Sequence, residues 1–497
     1  MTRPRRTPAL IVAIFVVTLL SKAAETAPVR DPEGAARQYR IARRLVAEGS
    51  ADAAAALAKV FDLDPAGPLA DDALVEQALL LPVATWPGDL GRIAAPEALR
   101  AAALLDRAID GFPGGDRASE ARVLRAFLRL EPLLGRDPAR ARLDLLGVAT
   151  GAVDERWRSS ARFGIAWIDE RSGERERARS AYQRLAIDGA TTPAGDRSRA
   201  RLARMLLRDG KPGRAAALIE ENAEEGGERE TLALRDLAVR STLRQAGVGG
   251  RWTGGTAVTA PSGLKGVAAA ARLRDGGLLL ADRRTGAVIE IEADGKTGAR
   301  FALDGVQALT EDSMGRRFAA AGERLYRLLP SGPVAVAELG AFSPASAMTA
   351  DGWGRLYLLD RHGERIGVLE PGAPSPAALA GVAKAPRLTG LVWDGARLVS
   401  LDARAKGLVE VLADGSLRPI AAVPCERPEA LAADPAGEVA VLDSKADEVL
   451  LLGPDGQVRD RVSIRAAGLP RADTIVLGAD GSLDLQAEGG GTTARFP

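Results

Sequence analysis

Between residues 266 and 456 the chain repeats itself. Five stretches end at Gly295, Gly332, Gly372, Gly415 and Gly456, spaced 37, 40, 43 and 41 residues apart. Each holds short apolar runs of strand length separated by Asp-Gly or Pro-Gly turns, as in "ALAADPAGEVAVLDSKADEVLLLGPDG" (430–456). A unit of about 40 residues built this way makes one small sheet, which cannot bury both its faces alone. It must pack against copies of itself, and a closed ring of copies leaves no long sheet edge exposed. An aspartate ends the second apolar run at Asp282, Asp360, Asp402 and Asp443, while the copy ending at Gly332 lacks it near Ala321.

The unit resembles the NHL-repeat blade of a β-propeller, most closely over 429–456. The resemblance covers 266–464 well and 465–497 less closely. It implies a C-terminal β-propeller over 256–497, with six blades as the expected count and five or seven as alternatives. Thr474–Leu477, Ser482–Gln486 and Thr492–Phe496 are expected to give three strands of the last blade. Trp252–Thr259, ahead of the first full repeat, would add its missing outer strand and close the ring.

From residue 31 to 245 the period is helical. Ala35, Tyr39, Ala42 and Leu45 fall at three- and four-residue steps on one face. Helical pairs recur, and the last two overlay: Gly173 and Gly210 are 37 residues apart, with Ala178 and Ala215 five residues later. Tyr182 and Ile219 follow four residues further on. This pattern resembles the tetratricopeptide repeat, in which a turn glycine, a close-packing alanine and a bulky residue occupy those places. It implies a TPR-like α-solenoid with a concave partner-binding groove. The expected fold is therefore multidomain, α then β, with the Gly-rich stretch 246–255 as linker between halves that fold separately.

Residues 1–23 have the order of a secretory signal. Arg3, Arg5 and Arg6 precede an apolar run from Ala9 to Leu20, and Ser21-Lys22-Ala23 offers small residues for cleavage. The run is short of the roughly 20 residues a spanning helix needs. Export to the periplasm or beyond is expected, with no transmembrane segment after cleavage. The formal charge of +1 then falls by four to −3, because the removed residues carry four bases and no acid. A chain so near neutrality has little counterion-release drive, so nucleic acid is not an expected partner.

Catalytic raw material is scarce. His362 is the only histidine, Asn222 the only asparagine and Cys425 the only cysteine. Metal-dependent propellers use Asn, His and carboxylate ligands, which this propeller cannot assemble, and no phosphate-cradling Gly-Lys motif occurs. No catalytic residue, metal or cofactor is expected, and the chain reads as a non-enzymatic scaffold of the cell envelope. Basic loop residues recur between the second and third strands of several blades: Arg283, Arg284, Arg361, His362, Arg404, Lys406 and Lys445. They form the candidate ligand face for a protein partner or an anionic envelope polymer. The alternatives are a propeller hydrolase or lyase acting on an envelope polymer through carboxylates alone, and a purely structural component.

Overall fold

The computed structural model describes residues 30–81, 86, 95–131, 134–152, 154–189, 192–220, 229–249, 252, 256–259, 264, 266–379, 387–469, 471–487 and 492–496. The proposed signal, 1–23, lies outside the described residues. Among these residues eleven helices precede twenty-four strands, and no described helix is long and apolar enough to cross a membrane. Contacts divide the chain into two compact units: residues up to 81 together with 100–121, and residues 82–99 together with 122–497.

The first unit is built on α1 (Pro32–Ala47), α2 (Ala53–Leu63) and α3 (Ala70–Leu80), with most of α4 (Ala95–Gly111) and the start of α5 (Ala118–Arg129). Asp31 starts α1 by accepting the Gly34 amide at 2.7 Å, a side-chain cap followed by proline at the first helical position. Its core is small: Ala35, Ala42, Leu57, Val60 and Ala73. Alanine at these places lets the helices approach closely.

The second unit continues with α6 (Pro138–Gly151), α7 (Glu155–Arg171), α8 (Arg175–Asp188), α9 (Pro193–Arg208), α10 (Pro212–Glu220) and α11 (Arg229–Ala246). The overlaid hairpins behave as their sequences require. Gly173 and Gly210 turn the chain at φ of 84° and 69°, and Ala178, Ala215, Tyr182 and Ile219 are all buried.

Six four-stranded antiparallel sheets follow. Five are consecutive in sequence: β2–β5 (267–302), β6–β9 (306–338), β10–β13 (345–378), β14–β17 (388–422) and β18–β21 (428–463). The sixth joins β22 (Ala472–Leu477), β23 (Leu483–Ala487) and β24 (Thr492–Phe496) to β1 (Thr256–Thr259). Thr256 pairs with Arg495 and Thr259 with Thr492, so the ring closes on its own N-terminal strand. Trp252 anchors that closure: its amide donates to Asp460 at 2.7 Å and its indole to the Gly481 carbonyl at 3.0 Å. The second strand of each blade is buried along nearly its whole length because neighbouring blades cover both its faces. The copy without an aspartate needs none: Ala321 pairs with Arg324 across a two-residue turn in which Gly322 has φ 55°.

Within the second unit the helices cover one end of the propeller. The turns between first and second strands, Asp312–Arg316, Asp351–Arg355, Asp394–Arg397 and Asp434–Glu438, point toward them. Trp167 meets Trp353 edge-on at 5.7 Å, and the Trp353 indole donates to the Arg171 carbonyl at 2.7 Å. Arg208 reaches Asp394 at 3.0 Å and Arg244 reaches Glu438 at 3.0 Å. Ala436 packs into the helical core beside Leu207 and Leu237. The aspartates of these turns also fold the turns themselves, as Asp351 does by accepting the amides of Trp353 and Arg355.

Candidate functional site

The loops between second and third strands lie at the other end. Arg283, Arg284, Arg361, His362, Arg404, Lys406 and Lys445 are all exposed there. Each loop is folded by the aspartate that ends its second strand. Asp282 accepts the Arg284 amide at 3.0 Å, Asp360 that of Glu364 at 2.8 Å, and Asp402 that of Arg404 at 2.8 Å. Asp443 accepts four backbone amides, from Glu426, Arg427, Lys445 and Ala446. Those amides outweigh burial and hold its carboxyl below the usual range. These aspartates are turn-makers.

Only part of the basic set comes together. Arg283 and Arg361 line a cavity of about 420 Å³ with Asp282, Gln307 and Ser346. Arg361 and His362 also border the central channel, about 540 Å³, which the first strands enclose. Arg284, Arg404, Lys406 and Lys445 line neither space. Lys445 is paired with Glu426 at 2.5 Å. Cys425 is buried, and burial pushes its thiol up, with the Asp443 charge adding to the effect.

The channel mouth is set by one recurring position, the second residue of each first strand. In blade order it holds Ala268, Gln307, Ser346, Thr389, Glu429 and Asp473, all bordering the channel. The strand ladder is bulged at this residue in five blades and one residue later, at Gly390, in the fourth. Bulges recur where a strand must re-aim a side chain. Blades four to six place an arginine two residues earlier, at Arg387, Arg427 and Arg471. Arg427 holds Glu429 at 2.6 Å and Arg471 approaches the same oxygen at 3.5 Å. Burial alone would raise the Glu429 carboxyl; the hydrogen bonds from Arg427 and Ser444 and the nearby guanidiniums outweigh it and leave it below its ordinary value. The Gln307 carboxamide oxygen is buried and accepts no hydrogen bond. A buried amide oxygen without a donor is costly, and a ligand can supply one.

At the other end of the channel stand Arg272 and Glu311. Glu311 accepts the Arg274 amide at 2.6 Å and lies 3.6 Å from Arg317. Burial dominates these contacts and pushes its carboxyl up to about 7.

The ring of Gln307, Ser346, Thr389, Glu429 and Asp473 is absent from the sequence-based site. Aligning the blades on the start of their first strands ("GVQALT", "PASAMT", "RLTGLV", "RPEALA", "RADTIV") brings them into one column.

A six-bladed propeller capped by helices at one end, with polar side chains around the other mouth, is the class these features define. No family model and no curated protein matches the chain. Solved structures similar to it include a catalytically inactive virginiamycin B lyase from Staphylococcus aureus with quinupristin. It is 16% identical over 47% of this chain and 81% of its own, at a TM-score of 0.38. A streptogramin B lyase is 12% identical over 49% and 98%, at 0.37. The calcium-binding protein regucalcin from Agrobacterium tumefaciens is 14% identical over 46% and 90%, at 0.37.

The expectation of a non-enzymatic chain is corrected here. The similar solved structures include lyases. The exclusion rested on counting histidines and asparagines. The carboxylate-only alternative drawn from the sequence needs neither residue, because carboxylates can carry acid–base chemistry unaided.

Proposed function

We propose that the propeller acts as a hydrolase or lyase on a hydroxylated acid of the sugar-acid kind, free or within an anionic polymer, using carboxylates at the channel mouth. The observation that carries this reading is the single column that brings Glu429 and Asp473, on adjacent blades, to one mouth with Gln307, Ser346 and Thr389. Glu429, held ionised by Arg427 and Arg471, is the acceptor for a proton or for substrate hydroxyls. Asp473 is its partner across the blade boundary. Arg361 and Arg283 at the adjoining cavity would hold the substrate's carboxylate. The reading takes the blades as NHL-like, the hairpins as TPR-like, and residues 1–23 as an export signal.

The test is to incubate the full chain with a panel of uronic acids and their oligomers, following bond cleavage by chromatography and by the absorbance of any new double bond. Turnover that falls at least about a hundredfold in Glu429→Gln and in Asp473→Asn, with folding intact, supports the reading. Turnover unaffected by both variants sinks it.

A protein partner for the helical half is a second reading. It is favoured by an apolar groove of about 610 Å³ in the first unit, lined by Val46, Leu80, Leu81 and Leu104 with Arg100 and Arg107 at its rim. Leu80→Asp should abolish capture of such a partner while leaving turnover at the propeller unchanged.

A further inference from the structure

In the first helical unit α3 opens with two adjacent carboxylates, Asp71 and Asp72. The loop ahead of α5 brings a third, Asp116, to meet them. One carboxylate oxygen from each lies within 4.8 Å of the others. Asp71 is 4% exposed, and its Oδ2 accepts no hydrogen bond. The loop crowds that oxygen, for a Cβ on Gly115 would sit 2.1 Å from it.

A neighbouring carboxylate outside the trio has the same defect. Glu76 is 8% exposed; its Oε1 takes the Tyr39 hydroxyl at 2.9 Å and Arg43 at 2.7 Å, while its Oε2 accepts nothing. Arg117 links the two groups, lying 3.2 Å from Asp72 and 3.6 Å from Glu76, and it is shared with Glu120 at 2.5 Å. In these ion pairs Asp72, Glu76 and Glu120 divide two guanidiniums, those of Arg43 and Arg117, between them. Burial, reinforced by the charge of Asp116, raises the Asp71 carboxyl, and the same two causes outweigh Arg117 at Asp72.

We propose that Asp71, Asp72 and Asp116 form a binding site for a hard divalent cation of the calcium class, tying α3 to the loop that starts α5. The donors are all carboxylate oxygens, with no imidazole or thiolate among them, which suits calcium over zinc or copper. The cation supplies positive charge to three mutually repelling carboxylates, of which Asp71 is buried and Asp116 opens to solvent. The Asp71 oxygen is already stripped of water and of donors, so coordination satisfies it without breaking a protein hydrogen bond. The site is separate from the propeller mouth and independent of the reaction proposed there.

The full chain, freed of metal with a chelator and dialysed, is titrated calorimetrically with calcium and then magnesium, and its thermal unfolding is followed with and without each ion. One calcium site per chain and a rise in Tm are expected. Asp116→Asn, at an exposed position that leaves the helical core untouched, should weaken calcium binding by at least about tenfold without lowering the Tm of the metal-free protein. Asp71→Asn should remove the calcium-induced rise as well. Absence of heat and of any Tm change up to millimolar calcium overturns the proposal. So does calcium affinity in Asp116→Asn equal to that of the unaltered chain.

Discussion

Arg316 of the propeller and Glu131 of the helical half form a buried ion pair, Nη1 to Oε1 at 2.9 Å, with side chains 2% and 0% exposed. The same guanidinium binds Asp312 at 2.6 Å, and Asp312 accepts the Met314 and Arg316 amides. One arginine thus joins a propeller turn to the chain after α5. Two charges buried this way attract strongly only while both remain; without Glu131 the buried Arg316 keeps Asp312 but loses its other carboxylate, with no water to replace it.

Glu131→Ala should therefore cost about 3–5 kcal/mol of unfolding free energy, measured by denaturant titration. A change under about 1 kcal/mol would mean that water reaches the pair and screens it.

The same interface bears on the independence of the two halves. Fragments 30–249 and 252–497 should each be soluble enough to purify and should associate when mixed, because Arg208–Asp394 and Arg244–Glu438 rejoin across the cut. Size-exclusion chromatography reads the outcome. Arg244→Glu in the helical fragment should abolish co-elution by facing Glu438 with a like charge.

Glu311 makes stability depend on pH. Burial raises its folded carboxyl to about 7, above the ordinary 4.5. The folded state therefore keeps a proton that the unfolded state has released. Its contribution is fully present below the ordinary value and is lost as pH rises through about 7, by up to about 3 kcal/mol. Comparing unfolding free energies at about pH 5 and about pH 8, Glu311→Gln should flatten the decline. An unchanged slope would assign the dependence to other groups.

Gly363 holds the Arg361–His362 loop against the fourth blade. Its φ is 69°, its carbonyl accepts the Leu388 amide at 2.9 Å, and an added Cβ would lie 2.1 Å from the Leu388 oxygen. Gly363→Ala should lower stability by about 1–3 kcal/mol, read as a fall in Tm. An unchanged Tm would mean that the loop shifts freely, and the mouth it borders would then be less rigid than the fold suggests.

Much of this molecule is legible in its residues alone because a blade is a local object. Apolar runs, Asp-Gly turns and the spacing of Gly295 through Gly456 all act within about 40 residues. They foretell six blades and a ring closed by Thr256–Thr259 on Thr492–Phe496, where an unpaired strand edge demands a partner. The turn glycines and close-packing alanines of α7–α10 are local in the same way. What tertiary structure alone decided is which propeller end stays open and what gathers there. In the sequence Asp351 and Asp394 are Asp-Gly turn residues; only in the fold do Arg171 and Arg208, nearly two hundred residues earlier, lie against their turns. Glu429 and Asp473 read as unrelated surface acids until closure of the ring sets their blades side by side. Charge at a distance in sequence becomes charge at contact only through the fold, and Coulomb energy follows contact.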